Sequence, residues 1–167
     1  VYKVSDEITD LVIPKGVTSI GNEAFKYCDN LVSVTIPKGV TSIGNMAFYY
    51  CYGLTDVTIS EGVISIGDEA FYCCESLTNI TIPKSVTRID QCAFQHCSSL
   101  TEMILPEGIT EIAAATFAHC RNLLHIVIPE SVTKLGSTAM NQCVSLKSIV
   151  LPENLTEIGD YAFLNCY

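Results

Sequence analysis

The sequence predicts an α/β repeat solenoid, a right-handed superhelix with a parallel β-sheet on one face and short helical or 3₁₀ turns on the other. Three observations indicate this fold. A 23-residue unit, seen as LVSVTIPKGVTSIGNMAFYYCYG at residues 31–53, recurs along the chain. Each unit opens with a short period-two apolar pattern and ends with apolar residues spaced three and four apart. No unit has enough apolar side chains for a core of its own, so the units must stack.

We number the positions of the unit as slots 1 to 23, starting at Leu31, and the units as repeats 1 to 7. Leucine dominates slot 1, proline slot 7 and phenylalanine slot 18, and cysteine fills slot 21 in every repeat. The repeats form one predicted domain over residues 8–167 and begin at residues 8, 31, 54, 77, 100, 123 and 146. Residues 1–7 are interpreted as a degenerate N-terminal half-repeat or a cap.

The first element of each repeat is a predicted short strand. Slots 4 and 6 are apolar, as in Val34 and Ile36, whereas slots 3 and 5 are mostly polar in the front half of the chain. This alternation is typical of a strand with slots 4 and 6 facing inward. Proline at slot 7 ends the strand because it cannot donate a ladder hydrogen bond.

A second extended piece and a corner follow. Slots 8 and 9 form a turn, and slots 10 and 13, as in Val40 and Ile43, face inward again. Glycine at slot 14 is expected to permit a sharp corner. Slots 15 to 21 carry Ala-Phe and Cys at spacings of three and four, which predicts one helical or 3₁₀ turn that buries the phenylalanine and the cysteine.

The nine cysteines are interpreted as free thiols, because seven of them share slot 21. Stacked side chains that point the same way do not easily bring two Cβ atoms face to face, as a disulfide requires. The cysteine column is therefore predicted to be buried and apolar in character. On this interpretation the cysteine count does not fix the compartment.

The charge balance disfavours two classes of partner. The chain has 18 acidic and 9 basic side chains, a formal charge of -9. That sign disfavours nucleic acid and an anionic membrane surface as partners. No apolar run approaches the roughly 18 residues of a membrane helix, so no membrane insertion is expected. No cofactor motif is present, and no cofactor is predicted.

The consensus L-x-x-V-x-I-P-x-x-V-T-x-I-G-x-x-A-F-x-x-C, repeated over residues 8–167, resembles the BspA-like class of leucine-rich repeat found in bacterial and protozoan surface proteins. It departs from the commoner leucine-rich consensus at slot 9, where Gly39, Gly62 or Ser85 replaces Asn or Cys. The resemblance implies a curved leucine-rich-repeat solenoid, a secreted or cell-surface location and a non-enzymatic binding or adhesion role. It supplies no catalytic residue.

The strongest candidate binding surface is the sheet face, formed by slots 3 and 5. Threonines and acidic or amide groups dominate its front half, while an apolar row occupies its back half. Such a row can mark a partner site; alternatively, β-branched residues merely suit a strand and a neighbouring module covers them. The candidate residues are Asp56, Thr58, Asn79, Thr81, Glu102, Ile104, His125, Val127 and Val150.

An aromatic patch on the opposite side is the second candidate surface. Tyrosines provide large contact areas for recognition at low entropic cost, although a half-buried spacer role is equally compatible with the pattern. The patch comprises Tyr27, Tyr49, Tyr50, Tyr52 and Tyr72.

A zinc site is a third candidate, since two thiols and two imidazoles could approach tetrahedral ligation. Its candidates are Cys73, Cys92, His96 and His119. Cys73 and His119 lie two repeats apart, about 10 Å, which is long for both to bind one ion. The alternative is that all four are ordinary surface side chains, and no metal is predicted. A thiolate nucleophile beside His96 is conceivable, but a convex repeat surface supplies no pocket that excludes water, and no enzyme is predicted.

The favoured hypothesis is a module that binds a protein or a glycan through the sheet face. The alternative is a structural spacer or assembly scaffold within a larger surface protein. In that case the chain is expected to self-associate end to end or through the sheet face.

Overall fold

The computed structural model describes residues 8–166, which form a parallel β-solenoid with one turn per repeat. Paired strand residues are 23 positions apart, as in Val34 with Val57. The predicted solenoid with a parallel sheet is therefore confirmed. The expected cap at residues 1–7 and the final residue, Tyr167, lie outside the described residues.

Each turn of the solenoid contributes up to two short strands. The first strands are β1 (Asp10–Val12), β3 (Ser33–Ile36), β5 (Asp56–Ile59), β7 (Asn79–Thr81), β9 (Glu102–Ile104) and β11 (His125–Val127). The second strands are β2 (Ser19–Ile20), β4 (Ser42–Ile43), β6 (Ser65–Ile66), β8 (Arg88–Ile89), β10 (Glu111–Ile112), β12 (Lys134–Leu135) and β13 (Glu157–Ile158). Residues 148–151 of repeat 7 pair with no strand in the described part of the chain.

The strands form two rows of parallel sheet, and both rows are interrupted at the same place. The first strands pair in the order β1-β3-β5-β7 and then separately as β9-β11. The second strands pair as β2-β4-β6-β8 and then as β10-β12-β13. Both interruptions lie at the junction of repeats 4 and 5.

The core runs along the solenoid as columns of similar apolar side chains. Val34 and Ile36 are 1% and 0% exposed, which confirms that slots 4 and 6 face inward. The phenylalanines of slot 18 stack nearly parallel from Phe25 to Phe117, with ring centroids 5.2 to 5.8 Å apart. Offset stacking at this spacing adds to the energy gained by burial.

The prediction of a helical or 3₁₀ turn at slots 15 to 21 is wrong, because no helix occurs within residues 8–166. Slots 16 and 20 instead have positive φ in all seven repeats, as at Met46 (56°) and Tyr50 (59°). This conformation costs a non-glycine residue about 1–2 kcal/mol. It directs every second backbone N–H group toward the next repeat. For example, the Phe48 N–H donates to the Ala70 carbonyl at 2.8 Å. We call this row of bonds the convex ladder, which donates from slots 16, 18 and 20.

Glycine at slot 14 is required for close approach rather than for a corner. A Cβ on Gly44 would lie 2.7 Å from the backbone nitrogen of Asn22 and the carbonyl carbon of Gly21, in the preceding repeat. The same atom on Gly136 would lie 2.5 Å from the Ala114 nitrogen. Positive φ occurs only at Gly39 and Gly62 among the described glycines, so the conformation of slot 14 itself needs no glycine.

We expect Gly44→Ala to lower the free energy of unfolding by about 1–3 kcal/mol, because the added methyl group must push two rungs apart. Urea denaturation measures the change. Gly21→Ala is the matched control, since its Cβ would have no heavy atom within 4 Å. Equal destabilisation by the two substitutions would contradict the close-approach explanation.

Candidate functional site

All nine predicted sheet-face residues are exposed. Eight lie on the first strands β5, β7, β9 and β11. The ninth, Val150, is 82% exposed but belongs to the unpaired residues 148–151, so it does not extend the sheet as expected. The structure therefore brings together the candidates of repeats 3 to 6 and leaves Val150 outside the sheet.

The front half of the sheet face, formed by β1, β3, β5 and β7, is polar except at Val12, which is 71% exposed on β1. Thr35, Thr58 and Thr81 stand in register on adjacent strands. Asp10 accepts hydrogen bonds from Ser33 and Thr9, and these bonds hold the pKa of the Asp10 carboxyl below its usual value. This half presents hydroxyl groups and negative charge to a partner.

The back half of the sheet face is apolar. Ile104 and Val127 face each other in register on β9 and β11 and are 57% and 52% exposed. A cleft of about 340 Å³ lies beside Ile104, between β7 and β9, and is lined by Asn79, Ile80, Thr81, Ile82, Glu102 and Ile104. The sequence analysis did not predict this cleft, although the loss of glycine at slot 14 in repeats 4 and 5 was visible.

The tyrosine patch forms one connected set of rings on the convex side. Tyr49 packs against Tyr72 at 5.0 Å, and Tyr50 packs edge-on against Tyr52 at 5.3 Å. Tyr27 is 61% exposed and Tyr52 is 42% exposed, whereas the other three tyrosines are half-buried. Much of the surface of these rings is therefore buried against neighbouring rings of the same patch.

Two histidines extend this set of rings beyond the predicted patch. Tyr72 contacts His96 edge-on at 5.5 Å, and His96 stacks on His119 at 4.3 Å with an interplanar angle of 7°. Burial lowers the pKa of both imidazoles, and the charge of a protonated His96 lowers that of His119 further. The stack therefore favours neutral rings at pH 7.

The thiols on the convex side are not activated. Burial raises the pKa of Cys73 to about 11 and also raises the pKa of Cys92. Both thiols are therefore protonated at neutral pH, whereas a nucleophile or a metal ligand needs the thiolate. Within residues 8–166, no group of three or more Cys, His, Asp or Glu side chains is arranged to hold a metal ion. The four candidate zinc ligands are thus not arranged as a metal site among the described residues.

The slot 21 cysteines form a column, and none of them is in a disulfide, as predicted. Each of those in repeats 2 to 7 donates a hydrogen bond to the slot 18 carbonyl of the preceding repeat, as Cys97 does to Phe71 at 3.2 Å. Burial raises the pKa of Cys51 to about 12 and that of Cys97 well above its usual value. The column therefore joins successive rungs and stays protonated.

The chain is similar to known repeat proteins. A family model described as the BspA-type leucine-rich repeat region matches residues 1–87 and 64–167, in six copies. No curated protein sequence matches the chain. In the part of the chain that the structure describes, no helix is long and apolar enough to cross a membrane.

Solved structures share the fold. A leucine-rich cell surface protein of Faecalibacterium prausnitzii is 38% identical, with a TM-score of 0.89 over 95% of this chain and 45% of that protein. The Treponema pallidum (T. pallidum) leucine-rich repeat protein is 28% identical, with a TM-score of 0.70 over 84% of this chain and 78% of that one. The chain thus spans less than half of the Faecalibacterium protein.

We expect the stability of the protein to fall as the pH drops below about 6.5. An unfolded histidine has a pKa near 6.5, whereas His96 and His119 have lowered values when folded, so the unfolded chain binds protons first. Thermal melts between pH 7.5 and 5.5 measure the effect. The double variant His96→Gln/His119→Gln should lose part of this pH dependence, and His125→Gln on the sheet face is the control. A double variant as acid-sensitive as the wild type would contradict the assignment.

Stability should also fall above about pH 9, because the buried thiols keep their protons when folded but lose them when unfolded. Cys97→Ala should therefore show a shallower decline in the free energy of unfolding between pH 8.5 and 10, despite lower stability at pH 7. The expected change in slope is at most about 1.4 kcal/mol per pH unit. Leu100→Val weakens the same core without removing a thiol and should keep the wild-type slope. Parallel curves for the Cys97→Ala variant and the wild type would refute this origin.

Proposed function

Since the chain belongs to the BspA-type leucine-rich repeat family, we propose that it is a non-enzymatic binding module that engages a protein or a glycan through its sheet face. The observation that carries this proposal is the exposed pair Ile104 and Val127, held in register on adjacent parallel strands. These two large apolar side chains lie next to a cleft and form an apolar surface. A bound partner can bury this surface and exclude water from it.

The composition of the sheet face favours a protein ligand over a glycan. Burying an exposed aliphatic side chain stabilises a complex by about 1.5–3 kcal/mol, and Ile104 and Val127 are both more than half exposed. Asp56 and Glu102 lie exposed at slot 3 on the same face, so a partner with basic side chains beside an apolar patch would match its charge. Because the strands hold these side chains in fixed positions, binding would cost little ordering of the module.

A cell-surface location is part of the proposal. It is supported by the similarity to the Faecalibacterium protein, which is described as a leucine-rich cell surface protein. Since this chain spans 45% of that protein, the module would act as one segment of a longer surface molecule. Adhesion to a host or a neighbouring cell is the role such a placement would serve.

We expect saturable binding of the protein to a member of a panel of matrix proteins and glycans, and we expect Val127→Asp to abolish it. The substitution places a charge in the centre of the apolar pair, where a bound partner would have to desolvate it. Surface plasmon resonance measures the affinity, and a thermal melt shows whether the variant is folded.

The matched control is Ile64→Asp, because Ile64 is 47% exposed and directly precedes β6 in the other row of strands. Equal loss of binding in both variants would remove the sheet face as the site. Absence of binding to every member of the panel would favour the alternative of a structural spacer. Light scattering over a concentration series would then show whether the chain self-associates.

A further inference from the structure

The junction of repeats 4 and 5 lacks both strand ladders that join other neighbouring repeats. In repeat 6, Thr133 donates to the Thr110 carbonyl at 2.9 Å and Gly136 donates to the Ile112 carbonyl at 2.7 Å. The equivalent donors in repeat 5 are Thr110 and Ala113, and neither bonds to the backbone of repeat 4. The first strands β7 and β9 are unpaired at the same junction.

The convex ladder continues across this junction without a gap. Cys92 donates to Ala114 at 3.0 Å, Phe94 donates to Thr116 at 3.0 Å, and His96 donates to Ala118 at 2.9 Å. These lengths resemble those of the convex ladder elsewhere, such as 2.8 Å from Phe71 to Ala93. Two further backbone bonds cross the junction near the convex side and at the start of the first strands, from Asn122 to the Ser98 carbonyl at 3.2 Å and from Thr101 to the Thr78 carbonyl at 3.4 Å. The bonds are therefore lost only along the two rows of strands, from slot 3 to slot 14.

Ring distances show that the gap widens from the convex surface inward. The outer rings, His96 and His119, are 4.3 Å apart. In the core behind them, Phe94 and Phe117 are 5.8 Å apart, the widest spacing in a column whose other members are 5.2 to 5.4 Å apart. The junction is thus shaped as a wedge with its narrow edge at the convex ladder.

Slot 14 is the position that sets this junction apart from the others. A Cβ at this slot would approach backbone atoms of the preceding rung to 2.5–2.9 Å at Gly44, Gly67, Gly136 and Gly159. Repeats 4 and 5 have Asp90 and Ala113 there, so this is the one junction at which two residues with a Cβ stack at slot 14. At the preceding junction Asp90 stacks on Gly67, and the ladder is intact, since the Asp90 N–H donates to the Ile66 carbonyl at 2.9 Å.

Open space flanks the junction on two sides. The cleft of about 340 Å³ lies between the first strands. A second cleft of about 410 Å³ lies along the second strands and includes Asp90, Glu111 and Ala113 in its lining. At the slot 9 turn the repeats still touch, because a Cβ on Gly108 would lie 3.0 Å from the Val86 carbonyl oxygen. That contact is van der Waals packing, which can separate more readily than a ladder of hydrogen bonds.

We propose that the junction of repeats 4 and 5 is a hinge, at which the two parts of the solenoid rock about the convex ladder. The hinge divides the sheet face at the boundary between its threonine half and its apolar half. Rocking changes the angle between Thr81 and Ile104, and so lets one module present its polar and apolar halves to partners of different curvature. This inference concerns the motion of the chain and stands whether or not the proposed ligand class is correct.

Amide hydrogen exchange and residual dipolar couplings, measured by NMR on the whole chain, test the hinge. We expect the amides of Thr110 and Ala113 to have protection factors on the order of 100-fold lower than those of Thr133 and Gly136. We also expect residues 8–99 and 100–166 to fit two different alignment tensors. The double variant Asp90→Gly/Ala113→Gly should protect both amides and give a single tensor.

Ala114→Gly is the control, since it adds a glycine one position away and leaves the stacked Cβ atoms of slot 14 in place. Equal protection at the two sets of amides in the wild type would overturn the hinge. A single alignment tensor for the wild type would overturn it as well, even with fast exchange at Thr110. A folded double variant that behaves as the wild type in both measurements would refute slot 14 as its cause.

Discussion

The hydrogen bonds between successive rungs set the spacing on which every other feature of this protein depends. Neighbouring strands lie about 4.8 Å apart. A residue therefore fits a slot only if it can pack at that distance on the residue at the same slot of the next repeat. Phenylalanine satisfies the condition by near-parallel stacking of rings. Cysteine satisfies it by donating its thiol to the carbonyl of the preceding rung, and glycine at slot 14 by having no Cβ.

The same constraint separates the parts of the repeat that carry the fold from those that are free to carry function. Inward slots hold apolar residues of similar size because the rungs must match, whereas slots 3 and 5 face outward and vary in polarity from repeat to repeat. The variation follows a pattern along the chain, since slot 5 is Val12 in repeat 1, threonine in repeats 2 to 4, and Ile104 and Val127 in repeats 5 and 6. That change coincides with the interruption of the strands, so composition and geometry divide the sheet face at the same place.

The reactive side chains on the convex surface are held in their neutral forms. The thiols of Cys73 and Cys92 are held protonated by burial, and the stacked imidazoles of His96 and His119 are held neutral. Both effects come from packing against neighbouring rungs. Such groups resist ionisation at pH 7, so they stabilise the stack and are poorly suited to transfer protons or bind metals.

The sequence by itself determined the period, the inward slots, the free thiols and the exposure of the sheet face, because burial follows directly from the pattern of apolar residues. Only the tertiary structure decided how the backbone groups are paired. Helical spacing at slots 15 to 21 pointed to bonds within one turn, yet residues such as Tyr50 adopt positive φ and donate to the next rung. Likewise, the role of glycine at slot 14, the split beside Ala113 and the unpaired position of Val150 depend on the distance between rungs. That distance is set by hydrogen bonds that form only between stacked repeats, so no single repeat encodes it.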